Sequence, residues 1–79
     1  MSLKVKMNQE SVLRAMARRN MSQNMLADKT GLSSGYLSQL ISGARYASPK
    51  VRQKLQSALD PLTFDEIFTI KEVENGPKD

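Results

Sequence analysis

From Gln9 to Phe68 the apolar residues recur three or four positions apart, the spacing of one helical face, and serine, glycine or proline interrupts each run. Val12, Leu13, Met16 and Ala17 form the first such face, with Arg14, Arg18 and Arg19 on the others. Asn20 suits the left-handed residue that ends a helix. Ser22 is a preferred N-cap for a second helix, with Leu26 and Ala27 as its inward pair and Gly31 as its stop. Ser33 caps a third helix, expected over residues 34–42, whose apolar side is Leu37, Leu40 and Ile41 and which Gly43 closes. After a short loop with Arg45 and Tyr46, Ser48-Pro49 opens a fourth helix carrying Val51, Leu55, Ala58 and Leu59. Asp60-Pro61 breaks it. Thr63 and Glu66 have the spacing of a capping box for a short fifth helix, with Leu62, Phe64, Ile67 and Phe68 available to close over the core.

The fold class expected is all-α, one compact five-helix domain over residues 8–70. Residues 1–7 show no clear period and are expected to be a disordered leader. Residues 71–79, polar and charged, are expected to be a disordered tail.

Composition narrows the chemistry. The 79 residues include few aromatics, no cysteine and no histidine. Disulfides, the usual zinc ligand sets and most nucleophile–base pairs are thereby excluded, so no catalytic residue, metal or cofactor is expected. Nor does the sequence point to a small-molecule ligand. No apolar run approaches the roughly 20 residues of a membrane span, and a cytoplasmic location is expected. Aromatic residues are too few for a base-stacking platform of the kind that reads single-stranded RNA.

Charge is unevenly distributed. Residues 1–59 hold ten Lys/Arg against two acids, net +8, whereas residues 60–79 hold two against six, net −4, together the chain's +4. A basic body with an acidic end points to a polyanion-binding surface in the first three quarters.

One spacing gives that surface a shape. Ala27, Gly31, Leu37 and Leu40 fall where two short helices crossing steeply need a small contact residue, a turn glycine and two anchors. The third helix is then held by one face and presents the other to solvent, a geometry that fits a major groove about 12 Å wide.

These residues resemble a known family. Residues 21–43, with Ser22-Gln23 at the start, Leu26-Ala27, Gly31, Ser33, Tyr36-Leu37-Ser38 and Gly43, look like the lambda-repressor-like, Cro-type (XRE) helix-turn-helix family. The likeness extends over about residues 9–68 through Ser48-Pro49, Leu55, Ala58-Leu59 and 62–68. It implies a prokaryotic or phage regulator, a repressor by expectation, that binds double-stranded DNA at a palindromic operator as a homodimer. It also implies that Gln23 braces on a phosphate and that the exposed third-helix face, Ser34, Gly35, Ser38 and Gln39, reads bases. Gln39 is the best direct reader, because its amide can pair with the edge of adenine. Gly35 can only permit close approach.

The third helix holds no Lys or Arg, so affinity is expected from its flanks. The expected phosphate-contacting set is Gln23, Ser33, Tyr36, Arg45, Tyr46, Lys50, Arg52 and Arg19, with Arg18 an alternative to Arg19. Tyr36 fits a DNA contact and a ring covering the second helix equally well. The expected dimer surface is the fifth helix with Phe64, Ile67 and Phe68, side chains that fit the core equally.

The chain departs from the family pattern at Met25 and Ile41, where polar residues and Glu are usual. Ile41 is read as core; the sequence does not account for Met25. An alternative function follows from them, a protein-interaction module such as an antitoxin or regulatory adaptor, if Met25, Ile41 and the acidic segment share one exposed apolar patch.

Overall fold

Four hydroxyl side chains set the starts of four helices. The computed structural model, which describes residues 2–73, runs β1 (Ser2–Met7), α1 (Gln9–Arg18), α2 (Gln23–Thr30), α3 (Ser34–Ser42), α4 (Pro49–Ala58), α5 (Phe64–Ile67) and β2 (Phe68–Val73). The Ser22 hydroxyl accepts the Met25 amide at 3.1 Å and the Ser33 hydroxyl accepts that of Tyr36 at 3.2 Å. Ser48 and Thr63 accept the amides of Val51 and Glu66 at 3.4 and 3.3 Å. Each satisfies a first-turn N–H that has no partner within its helix. The stops also follow the sequence: Gly31 and Gly43 take φ of 73° and 85°, and Asn20 takes 53° after α1.

The core gathers one face of every helix. Val12 and Met16 meet Leu26 and Ala27, Leu37, Leu40 and Ile41, Leu55 and Leu59, and finally Ile67 and Phe68. Each fully buried large side chain stabilises by about 1.5–3 kcal/mol relative to exposure. In α1 the buried stripe is rotated from the expected one. Ala15 is buried while Leu13 and Ala17 face solvent.

The all-α expectation needs correction. The structure is mostly helical, but β1 and β2 pair antiparallel, Met7 opposite Phe68 and Ser2 opposite Val73. Ser2–Met7 is therefore a strand where a disordered leader was expected, and 71–73 belong to β2 where a tail was expected. The physical reason is a period of two, too short to stand out beside the helical runs. Val5 and Met7 turn inward and are buried, whereas Lys4 and Lys6 turn to the other face. Two further backbone bonds tie the ribbon to the helical body: Asn8 N–H, at the cap of α1, donates to the Ile67 carbonyl at 2.7 Å, and Ala47 N–H, in the α3–α4 loop, donates to that of Val5 at 2.8 Å. Residues 74–79 of the expected tail lie outside the described residues.

Candidate nucleic-acid interface

The α2–α3 pair is pinned from within. Leu37, Leu40 and Ile41 bury one side of α3 against the small buried Ala27 and its neighbours, which leaves Ser34, Gly35, Ser38 and Gln39 exposed on the other. Side chains brace the junction. Gln23 Nε2 donates to the Ser34 carbonyl at 3.5 Å, and Ser34 Oγ donates to Asn24 Oδ1 at 3.3 Å. Thr30, buried and not singled out by sequence, donates to the carbonyls of Leu26 and Ala27 at 2.9 and 3.1 Å and accepts the Leu32 amide at 3.4 Å. A Cβ placed on Gly35 would meet nothing within 4 Å. Packing within the chain therefore does not require glycine there.

Beyond α3 the chain folds back onto its exposed face. Gln39's backbone carbonyl accepts the amides of Ala44 and Arg45 at 2.9 and 3.3 Å. Arg45 Nε in turn donates to Gln39 Oε1. The Arg45 guanidinium lies 5.6 Å from the centre of the Tyr36 ring, itself half-buried against the core. Tyr36, Gln39 and Arg45 thus form one connected polar–aromatic cluster. Tyr46 is exposed, with Lys6 Nζ 5.9 Å from its ring centre. Lys6 lay in the segment read as leader, and only the pairing of β1 brings it here.

The other expected phosphate contacts divide. Ser33 Oγ is occupied as an acceptor but keeps a proton to donate. Lys50 is exposed in the first turn of α4. Arg52 instead reaches back to the Ala47 carbonyl at 2.9 Å. Arg19 donates to the Leu59 carbonyl at 3.1 Å, at the far end of α4 and about 15 Å along that helix from Ser48. These two arginines hold the scaffold. Residues 29–59 carry five cations and no acid, so this stretch of chain, α3 with its flanks, has a net positive charge.

Met25 now has a role. It occupies the third position of α2, and its Sδ accepts the Ser22 N–H at 3.5 Å, closing a capping box with a thioether in place of the usual carboxylate. Its side chain is 48% exposed, whereas Ile41 is only 4% exposed. The shared apolar patch required by the protein-interaction alternative is therefore absent from this pair. Ile67 and Phe68 are buried and Phe64 half-buried, which removes the fifth helix as an apolar dimer surface.

Away from this face, the Glu66 carboxylate is held below the ordinary glutamate range. The Thr63 backbone N–H contributes most and the Thr63 hydroxyl next; the charge of Arg18 adds less, and burial opposes them. Among the described residues no group of three or more His, Cys, Asp or Glu could hold a metal ion, and no helix is long and apolar enough to cross a membrane.

Comparison with known proteins matches residues 12–67 to a family model described as helix-turn-helix. No curated protein and no solved structure matches the chain.

Proposed function

The chain belongs to the lambda-repressor-like helix-turn-helix family of DNA-binding, transcription-regulator-type domains, and we propose that it acts as a repressor at a palindromic operator. The observation that carries this is the α3 face: anchored by three buried side chains, lined by Ser34, Gly35, Ser38 and Gln39, and flanked by cations without an intervening acid.

In this function α3 enters the major groove. Gln39 supplies the selective contact, Ser34 and Ser38 supply adaptable hydroxyls, and Gly35 lets the helix approach closely. Gln23, Ser33, Tyr36, Arg45, Tyr46 and Lys50 contact the phosphates that fix its register. Arg19 and Arg52 contribute indirectly, by holding Leu59 and Ala47. So thin a reading edge selects few base pairs, hence two copies on half-sites about 34 Å apart. Repression follows from occupying the operator, in the cytoplasm where that DNA lies.

Binding selection from randomised duplexes, followed by titration at several salt concentrations, tests this. A two-fold symmetric site bound by two copies, and weakened by both Q39A and R45A, is the expected result. A chain that binds DNA with neither variant weakened would place the interface elsewhere.

A further inference from the structure

The β1–β2 ribbon has two chemically distinct faces. On one, Val5, Met7 and Phe68 pack into the core. The register puts Ser2, Lys4 and Lys6 on the other face with Thr69, Lys71 and Val73. That face therefore carries three lysines and no acid. Lys4 stands directly opposite Lys71, both exposed. Like charges opposed across two strands are destabilising, and no ion pair to any of the three lysines occurs among the described residues.

The lysine face is continuous with the α3 flank. Lys6 packs its stem beside Gly43, its Cε 3.4 Å from where a Cβ would stand, and carries its ammonium to the Tyr46 ring. The Ala47–Val5 hydrogen bond ties the same loop to β1. Lys4 and Lys71 then lie one strand repeat farther out, about 7 Å beyond Lys6.

We infer that this ribbon face is a second phosphate-binding surface, which extends the DNA footprint beyond the groove entered by α3. The inference rests on α3 being the reader. Duplex DNA is the occupant the charge favours, because its dense row of phosphates offers every lysine an anion and relieves the Lys4–Lys71 repulsion. Lysines can also serve only to blunt the open edges of a two-stranded ribbon against aggregation. In that case they would protect solubility and leave affinity untouched.

Counterion release separates the two. The slope of log affinity against log salt should fall in magnitude by about 2 in the K4S/K71S double variant, roughly one per lysine. Affinity at 0.1 M salt should drop by on the order of tenfold, equally for specific and non-specific duplexes. The variant should melt no lower than the unaltered chain, since a repulsion has been removed, and K4R/K71R should restore the slope. Arg14, paired with Glu10 at 3.1 Å on α1, supplies the control: R14S should leave the slope unchanged. An unchanged slope in K4S/K71S, with Q39A and R45A still weakening binding, overturns the ribbon surface and leaves α3 as reader. Failure of the unaltered chain to bind any duplex at low salt overturns both.

Discussion

Arg45 holds the side-chain oxygen of Gln39, the base reader proposed for α3. The bond takes one of the two lone pairs of the amide oxygen and leaves its NH2 group free to donate. A glutamine so held is suited to the acceptors of a purine edge, N7 of either purine or O6 of guanine. It is less suited to the bidentate pairing with adenine that a free amide makes. Arg45 is itself steadied by the Tyr36 ring and by the turn that returns its backbone to Gln39.

Removing Arg45 should therefore alter selectivity as well as affinity. R45A is expected to weaken binding by about 1–3 kcal/mol and to shift the preferred base under Gln39 toward adenine. R45K, which keeps the charge but lacks the planar fork, should recover affinity more than selectivity. Sequencing of duplexes selected by each variant measures both effects.

Gly35 should separate stability from binding. It lies in the first turn of α3 with open space where a Cβ would stand. G35A should stabilise the free protein by up to about 1 kcal/mol through helix propensity. The same methyl should weaken DNA binding if the glycine lets α3 sit close to base edges. Thermal melting and duplex titration of one variant read the opposing signs.

Arg19 should behave in the reverse way. Its guanidinium donates to the Leu59 carbonyl at the end of α4, which also accepts the Leu62 N–H at 3.0 Å, from a half-buried position. R19A is expected to cost about 1–2 kcal/mol of stability, judged by urea unfolding. Affinity per folded molecule should change little beyond the loss of one charge.

Glu66 gives the fold a pH dependence. Its carboxylate accepts the Thr63 N–H at 2.8 Å, and the bond favours the charged form. A glutamate whose folded pKa lies below its unfolded value of about 4.3 contributes stability above that value, and loses it as pH falls through the lowered one. The melting temperature should therefore fall on acidification below about pH 4.3. E66Q, whose amide oxygen still closes the capping box, should lack this increment of the fall.

Much of the helical framework was legible because helix ends are written in local chemistry. Ser22, Ser33, Ser48-Pro49, Thr63, Gly31 and Gly43 each mark a boundary through a hydrogen bond or a backbone angle that their own residue type supplies. The ribbon was not legible, since Val5 and Met7 acquire their burial only from Phe68 and the helical body, some sixty positions away. For the same reason Leu13 was misjudged: periodicity identifies a stripe, but the packing partner decides which edge of it is covered. The α3 surface followed from spacing. The engagement of Arg19 and Arg52 with backbone carbonyls depends on the tertiary fold and left no sequence signal.

The pairing of Met7 with Phe68 also governs how the molecule assembles and opens. Joining them closes a loop of roughly 60 residues, an entropic cost of about 3.5 kcal/mol for an unstructured chain. A folded helical bundle has already removed most of that cost by bringing the two strand ends together. The ribbon should therefore zip last, from Met7–Phe68 outward. Its outer rungs, where Leu3 remains 63% exposed opposite Glu72, should exchange their amide protons first. The lysine face would then be the most readily remodelled part of the domain, and contact with a polyanion would favour its closed state.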